Sequence, residues 1–234
     1  MKRSRINEIM RAADDMIRSF GFTLPPFAYW TPEEFAARTD ASRVVEARMG
    51  WDITDYGEGK FEELGLFLFT LRNGWLADLE RGRGMCYAEK LLISRQDQIS
   101  PMHTHVIKAE DIINRGGATL AIELTGSDDN GAHAPDRGGI VRCDGIERAF
   151  EAGEVLKLAP GESVTLMPGD WHAFWGEGGD VLIGEVSTVN DDLTDNIFVD
   201  PIGRFSDIEE DEAPMHLLVS DYEAWLPGLV GRAP

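Results

Sequence analysis

Two histidines and a glutamate stand close together in the segment Pro101-Met102-His103-Thr104-His105-Val106-Ile107-Lys108-Ala109-Glu110. In an extended strand, residues two apart project from the same face, so His103 and His105 can direct their imidazoles at one point. Glu110 follows with enough intervening chain for a bend that returns its carboxylate to that point. The protein has only 5 histidines, and an HxH pattern beside a glutamate therefore favours a metal site.

A fourth ligand has to come from a distant part of the chain, and His172 is the best candidate. It follows the turn residues Pro168-Gly169 and precedes an apolar stretch. Three imidazoles and one carboxylate suit Mn²⁺, Fe²⁺, Zn²⁺, Co²⁺ or Ni²⁺ better than Ca²⁺. Four protein ligands leave two positions of an octahedral shell open, which is typical of a catalytic site rather than a structural one. His133 and His216 lack such neighbours and are expected to be ordinary surface or loop residues.

Glu185 is a carboxylate within an apolar strand pattern. Alternation places it on the same face as Val181 and Ile183, where packing alone does not call for a charge. If that face is the interior, desolvation is expected to raise the pKa of Glu185, as a general base requires. An outward-facing or paired structural glutamate is the alternative.

Two lysines are candidates to act beside this carboxylate. Lys90 follows Glu89 directly, so only one of the two can face the interior of a strand. Lys108 lies between the histidine pair and Glu110, and its ammonium can reach the oxygens of a substrate. A solvated lysine is the alternative in each case.

The elements that position these residues are predicted to be helices first and strands afterwards. Apolar residues recur at helical spacing over 6–20, and Gly21 follows as a stop. Thr31-Pro32 is an N-cap followed by a proline at the first helical position, which predicts a helix over 33–38. A third helix is expected over 43–48. Residues 1–50 should therefore form a helical extension that packs on the rest of the chain.

Residues 51–234 have the pattern of an antiparallel β structure. An apolar run over 66–71 is followed by Asn73-Gly74, a pair typical of tight hairpin turns. Further short strands, separated by glycine and proline turns, are predicted at 87–94, 120–124, 139–143, 155–158, 163–167 and 181–189. Many short strands punctuated in this way indicate a sandwich or a barrel. The chain becomes irregular and acidic from about residue 191, and a short helix is predicted near 221–225.

Composition disfavours several classes of partner. The 42 acidic and 22 basic residues give a net charge of −20, which disfavours nucleic acid and anionic membranes as partners. No apolar run has the length of a membrane span, and the first residues do not resemble a targeting peptide. The two cysteines form no CxxC motif. A cytoplasmic protein with reduced thiols is therefore expected.

The histidine motifs resemble those of the cupin superfamily. The first cupin motif, G(x)5HxH(x)3–4E(x)6G, is matched by the ligand candidates and by Gly117, with Asp97 in place of the opening glycine. In the second, G(x)5PxGxxH(x)3N, the proline is displaced by one residue and Gly176 stands where asparagine is usual. The resemblance implies a mainly β fold, a single cupin-type antiparallel β-barrel or jelly roll, with the N-terminal helices as an extension.

A more specific resemblance, to the D-lyxose isomerase family of cupin enzymes, covers nearly the whole chain. Two aromatic positions differ, with Thr104 between the two histidines and Val106 after them. The matching strings are Trp30-Thr31-Pro32-Glu33-Glu34-Phe35, Glu89-Lys90-Leu91-Leu92, Pro101-Met102-His103, Glu110-Asp111-Ile112-Ile113-Asn114-Arg115-Gly116-Gly117, Gly184-Glu185-Val186-Ser187, Val189-Asn190-Asp191-Asp192, Arg204-Phe205 and Ile208-Glu209-Glu210-Asp211-Glu212.

That resemblance implies a role for each matched residue. His103, His105, Glu110 and His172 would bind one divalent metal ion, with Mn²⁺ expected. Glu185 would be the acid/base, Lys90 and Lys108 would support it, and Arg204 would help to place the sugar. The implied reaction interconverts unphosphorylated aldoses and ketoses, namely D-lyxose with D-xylulose and D-mannose with D-fructose. A homodimer is also expected.

Three alternatives stay open from the sequence alone. The chain can be a metal-dependent cupin dioxygenase, a cupin that isomerises sugar phosphates, or a cupin that binds sugars without catalysis. A phosphate-bearing substrate would want clustered basic residues, which the acidic composition disfavours. The acidic residues around Asn190-Asp191-Asp192 and Asp195-Asn196 could imitate a calcium loop, but the EF-hand spacing is absent.

Overall fold

The chain starts with helices and continues as antiparallel strands. The computed structural model describes residues 1–229, so residues 230–234 of the predicted barrel segment lie outside it. The helices are α1 (Arg3–Ser19), a 3₁₀ helix (Pro26–Tyr29), α2 (Pro32–Ala36), α3 (Ser42–Glu46), α4 (Leu76–Glu80) and α5 (Tyr222–Trp225). The strands are β1 (Gly50–Thr54), β2 (Leu66–Asn73), β3 (Tyr87–Ser94), β4 (Ser100–His105), β5 (Glu110–Ser127), β6 (His133–Ala134), β7 (Gly139–Cys143), β8 (Ile146–Phe150), β9 (Glu154–Leu158), β10 (Ser163–Leu166), β11 (Trp171–Thr188) and β12 (Asn196–Phe198).

Two long strands, β5 and β11, belong to two sheets each. One sheet runs β1-β2-β3-β11-β5-β10-β7-β8, and the other runs β9-β5-β11-β4-β12. The register of β5 with β11 shifts between Glu177 and Val181, where both strands bend. Gly117 lies at this bend with φ +100°, and a Cβ there would come within 2.3 Å of the Asp180 carbonyl oxygen. The mainly antiparallel β architecture with N-terminal helices confirms the predicted fold class.

The apolar run of β2 is continuous because both faces of its sheet are covered. Phe67 and Phe69 pack outward against helix α1, within a cluster that also contains Trp51 and Ile93. Leu66 and Leu68 point the other way, into the apolar interior between the two sheets. The helices therefore bury the back of the sheet whose front faces the interior. The division of the chain at residue 50 stays a prediction.

Helix α1 follows the predicted periodicity. It buries one stripe of apolar side chains, and the chain after it turns at Gly21 with φ +75°. The buried residues of this stripe are Ile6, Ile9, Met10, Ala13 and Ile17. Thr31 caps α2 as predicted, because its side chain accepts a hydrogen bond from Glu34 N while the Glu34 side chain accepts one from Thr31 N. Helices α3 and α5 confirm the other two helical predictions.

The predicted tight hairpin at Asn73-Gly74 is wrong. Strands β2 and β3 do pair in antiparallel fashion, but helix α4 lies between them. The Asn73 side chain is buried and donates hydrogen bonds to the carbonyls of Ala47 and Asn190. Gly74 is required for close packing, since a Cβ would lie 1.9 Å from the Met85 carbonyl oxygen. The pair therefore anchors a longer connection rather than a two-residue turn.

Helix α1 contacts the acidic run 209–212. The guanidinium of Arg3 is fully buried and donates hydrogen bonds to both carboxylate oxygens of Glu210 and of Asp221. Helix α1 is thereby tied to the C-terminal part of the chain. No helix among residues 1–229 is long and apolar enough to cross a membrane.

Candidate metal and active site

Three of the predicted ligands converge inside the barrel. His103 and His105 lie on the same face of β4, and His172, near the start of β11, pairs with His103 across the two strands. One side-chain nitrogen from each histidine lies within 4.8 Å of the other two, and all three residues are buried. His133 and His216 lie elsewhere, hydrogen-bonded to Thr125 Oγ1 and to the Trp30 carbonyl oxygen respectively.

Each of the three imidazoles is oriented by a backbone carbonyl. The Nδ1 atoms of His103, His105 and His172 lie 2.7, 3.1 and 3.2 Å from the carbonyl oxygens of Pro101, Asp195 and Asp170. A carbonyl only accepts, so each Nδ1 carries the proton and each Nε2 keeps a free lone pair. Burial also lowers the pKa of His103 and of His105, which favours the neutral imidazole that metal ions bind.

Glu110, at the start of β5, brings a carboxylate oxygen to the same place. Its Oε1 lies 3.3 Å from His105 Nε2 and 3.3 Å from His172 Nε2. These three atoms are buried without a hydrogen-bond partner, which is costly unless another group satisfies them. Two ligands bonded at 2.1 Å to one metal lie about 3.0 Å apart in octahedral and roughly 3.4 Å apart in tetrahedral geometry. Glu110 Oε1 therefore lies at a ligand-to-ligand distance from two of the histidines, and the residues that could hold a metal ion together are His103, His105 and His172.

Beside the three histidines, carboxylates and cations alternate. Lys108 Nζ lies 2.7 Å from Glu110 Oε2 and 3.1 Å from Glu185 Oε1. Lys90 Nζ lies on the other side of Glu185, 3.2 Å from the same oxygen. Lys90 Nζ also donates a hydrogen bond of 2.6 Å to Asn190 Oδ1. The pairing of β3 with β11 explains why Lys90 lies beside Glu185, because the two residues are directly opposite each other on these strands.

Glu185 is buried, which is one of the two locations that the sequence left open, but the rise in its pKa expected for that location is wrong. Burial alone would raise the pKa of this carboxyl group, but the ammonium groups of Lys108 and Lys90 reverse the shift and hold it below the ordinary value. The two ammonium groups therefore favour the ionised form of the buried Glu185. In the same way, burial would lower the pKa of Lys108, but Glu110 and Glu185 raise it above the ordinary value.

Arg204 also lines the pocket and extends the row of charges beyond Asp192. Its Nη2 lies 2.7 Å from Asp52 Oδ2 and 3.2 Å from Asp192 Oδ1, and Asp192 also lies 3.9 Å from Lys90 Nζ. Burial would raise the pKa of Asp192, but Lys90 and Arg204 lower it. The sequence interpretation gave Asp52 and Asp192 no role here, although Asp192 belongs to one of the strings that resemble the family.

The sequence did not indicate the aromatic side chains Tyr56 and Phe198, which line the pocket. Tyr56 lines the pocket, and its backbone adopts φ +56°. Its hydroxyl lies 3.0 Å from Ser100 Oγ, and burial raises the pKa of the phenol to about 12. Phe198 packs between the rings of Tyr56 and His103, at centroid distances of 5.6 and 5.7 Å. No periodic signal marks Tyr56, because its placement depends on a left-handed turn.

Comparison with known proteins shows the family to which the chain belongs. The D-lyxose isomerase family matches residues 1–222. A D-lyxose/D-mannose isomerase of Serratia proteamaculans is 45% identical over 226 residues, covering 95% of this chain and 98% of the relative. Another, from Escherichia coli O157:H7, is 44% identical over 230 residues, with the same coverage of both chains.

Among solved structures, the similarity is one of fold. The L-ribose isomerase of Cellulomonas parahominis, solved with L-psicose, superposes with a TM-score of 0.60 at 16% identity, covering 89% of this chain and 98% of that one. The L-ribose isomerase of Acinetobacter sp. DL28, in complex with L-ribose, gives a TM-score of 0.59 at 14% identity with the same coverage.

The fold and the sequence relatives together define a sugar isomerase with a cupin-like β architecture. Within that class the chain belongs to the D-lyxose isomerase family.

Proposed function

We propose that this protein is a metal-dependent aldose–ketose isomerase of unphosphorylated sugars, with D-lyxose/D-xylulose and D-mannose/D-fructose as its substrate pairs. The observation that carries the proposal is the placement of Glu185, a buried carboxylate flanked by two lysines beside three histidines that could hold a metal ion. The names of the 45% and 44% identical relatives supply the two aldoses.

His103, His105, Glu110 and His172 are the proposed ligands, and Mn²⁺ is the proposed ion. A divalent ion bound there supplies Lewis-acid stabilisation of negative charge on the substrate oxygens. The hydrogen-bonded Nδ1 atoms hold the three imidazoles in the tautomer that a metal requires. Lys108 holds Oε2 of Glu110, which leaves Oε1 as the oxygen turned toward the histidines.

Glu185 is the proposed acid/base. Aldose–ketose isomerisation moves one hydrogen from C2 to C1 while a proton passes from O2 to O1. Because Lys108 and Lys90 keep Glu185 ionised, it can accept the C2 hydrogen as a proton and return that proton to C1. The same two ammonium groups stabilise the negative charge that develops on the substrate oxygens. A hydride shift from C2 to C1 is the alternative route and would use the same ligands.

Arg204 is proposed to place the distal hydroxyls of the sugar. Its Nη2 is engaged by Asp52 and Asp192, whereas its Nη1 is buried without a partner. That unpaired donor is suited to a neutral hydroxyl oxygen. Each cation that lines the pocket, namely Lys90, Lys108 and Arg204, already faces at least one carboxylate. This pairing disfavours a sugar phosphate, which would require uncompensated positive charge.

The test of this proposal is a comparison of the parent with Glu185→Gln, both loaded with Mn²⁺, on a panel of aldoses and ketoses. We expect turnover of D-lyxose and D-mannose by the parent. The variant should bind the metal equally well and lose activity by a factor of about 10²–10⁴, the contribution typical of a general base. Undiminished activity of the variant would remove Glu185 from its role, and O₂ consumption in place of isomerisation would favour a dioxygenase.

Running the reaction in D₂O separates proton transfer through Glu185 from a hydride shift. Deuterium in the carbon skeleton of the product supports proton transfer through Glu185, and complete retention of the original hydrogen supports a hydride shift.

Two further proposals rest on the sequence and its resemblance to the family, namely a homodimeric assembly and a cytoplasmic location. The helical extension 1–50 and the barrel segment 51–234 are likewise proposed as one unit each.

A further inference from the structure

One carboxylate outside the ligand set holds the loop that joins the metal-ligand strands. The loop between β4 and β5 contains Val106, Ile107 and Lys108, and it connects His105 to Glu110. Asp195 Oδ1 accepts hydrogen bonds from Val106 N at 2.9 Å and Ile107 N at 2.8 Å. Its Oδ2 accepts one from Lys108 N at 2.9 Å. Three successive amides thus converge on a single side chain.

Asp195 also contacts β4, the strand that carries His105, through its backbone. The carbonyl oxygen of Asp195 accepts the hydrogen bond of His105 Nδ1 at 3.1 Å. Its neighbour Asn196 begins β12, which pairs with β4 opposite His105. Asp195 is buried although Val106 and Ile107 expose 63% and 49% of their surface. An anion enclosed by consecutive amide groups is a strong arrangement, because charge-assisted hydrogen bonds are shorter and stronger than neutral ones.

We propose that Asp195 is a positioning residue for the metal and acid/base groups, acting through the backbone of the 106–108 loop. This proposal rests on the metal site of the proposed function. Fixing Lys108 N places the Lys108 ammonium between Glu110 and Glu185. Fixing the Asp195 carbonyl sets the tautomer of His105. Partners that orient ligands in this way typically change metal affinity by about 10–100-fold when they are removed.

Asp195→Asn tests the proposal with almost no change of shape. The amide oxygen can still accept from Val106 N and Ile107 N, but the amide nitrogen faces Lys108 N, so that a donor meets a donor. We expect the metal-free variant to bind Mn²⁺ or Co²⁺ about 10–100-fold more weakly than the metal-free parent in a calorimetric titration. In the metal-saturated variant, kcat should fall while KM for the sugar changes little, because Lys108 and Glu185 are misplaced.

Asp191→Asn is the matched control. Asp191 lies in the same segment and its carboxylate accepts hydrogen bonds from Leu193 N and Thr194 Oγ1, whereas the amides of the 106–108 loop donate to Asp195. This variant makes the same change of charge and should bind metal like the parent. Equal metal affinity and equal kcat for Asp195→Asn and Asp191→Asn would overturn the proposal.

Amide hydrogen exchange of the unmodified protein provides a test that needs no variant. If the Asp195 carboxylate holds the loop, the amides of Val106, Ile107 and Lys108 are protected in the metal-free protein, despite the exposed side chains of the first two. Rapid exchange of all three amides would contradict the proposal. A parent that binds no metal but protects these amides would instead count against the proposed function, so the two failures are distinguishable.

Discussion

At the residue scale, the proposed function depends on a buried row of alternating charges. Glu110, Lys108, Glu185, Lys90 and Asp192 follow one another at 2.7 to 3.9 Å, and the pocket that they line is otherwise partly aromatic and apolar. Within such a row, the charge of each group sets the pKa of its neighbours. Changing one member should therefore alter the pH dependence of the reaction as well as its rate.

Lys90→Met removes one of the two cations that lower the pKa of Glu185. The pKa of Glu185 should rise, so the active carboxylate is lost at a higher pH than in the parent. We expect the acidic limb of the kcat/KM profile to move to higher pH, with a lower plateau. Lys60→Met, which changes an exposed lysine, is the control and should leave the profile unchanged. An unshifted acidic limb in Lys90→Met would contradict the assignment of Glu185 as the base.

Asp192→Asn removes a negative charge from the same row and tests how much that charge stabilises the folded protein. Removing one partner of a buried ion pair typically costs about 3–5 kcal/mol, and Asp192 is buried against Lys90 and Arg204. Asp129→Asn disrupts an ion pair whose carboxylate is 88% exposed and should cost about 0–1 kcal/mol. Chemical denaturation measures both values, and equal losses would contradict a structural role for the buried pair.

The loss of stability in Asp192→Asn should depend on pH, and the shifted pKa of Asp192 determines the direction of that dependence. Because the folded protein holds the pKa of Asp192 below 3.8, the ordinary value, its stabilisation is fully present above that pH. It is lost as the pH falls and the folded carboxylate becomes protonated. The difference in unfolding free energy between the parent and Asp192→Asn should therefore be constant near neutrality and become smaller in acid. A difference that grew in acid would have the wrong sign.

At the scale of elements, helix α1 stabilises the back of the sheet that carries Lys90 and Glu185. Ile6 is fully buried between this helix and the strands. Ile6→Ala should lower the free energy of unfolding by about 2–5 kcal/mol, from the lost burial and the remaining cavity. Arg11→Ala, at an exposed position of the same helix, is the control. Equal stability of the two variants would show that the helix does not depend on this contact.

Local patterns predicted most elements, because amphipathic periodicity and capping residues act within a few positions. Strand β3 was predicted with its observed bounds, and Thr31 caps α2 as expected. The hairpin prediction at Asn73-Gly74 failed because the conformation of this pair depends on contacts with residues distant in sequence.

The departures from the cupin motifs have local explanations. Asp97 adopts φ +58° where the motif has glycine, and a Cβ at Gly176 would lie 2.4 Å from the Gly179 carbonyl oxygen.

The candidate site was predictable where a short motif carries it. HxH and Glu110 are close in sequence, and one strand pairing brings His172 to them. The direction of the Glu185 pKa shift was not predictable, because it depends on two lysines from other strands. Asp52, Tyr56 and Asp195 act through contacts that span many positions in the sequence, so no spacing rule marks them.

At the scale of the whole molecule, the proposed homodimer can be tested by measuring the molar mass in solution. Strand β8 ends the first sheet, and Ile146 of β8 and Ile140 of the adjacent β7 expose 73% and 64% of their surface. A sheet edge flanked by exposed apolar side chains is a favourable contact for a second copy. We expect light scattering at micromolar concentration to give the mass of two chains. The mass of one chain at all concentrations would contradict the homodimer.

Metal removal tests the central claim of a metal-dependent sugar isomerase most directly. The purified protein is treated with a chelator, dialysed, and assayed for conversion of D-lyxose to D-xylulose before and after one equivalent of Mn²⁺ is added. We predict that activity disappears with the metal and returns with it, while the folded structure persists by circular dichroism. Full activity in the metal-free protein, or none on any unphosphorylated aldose after Mn²⁺ is restored, would contradict the account.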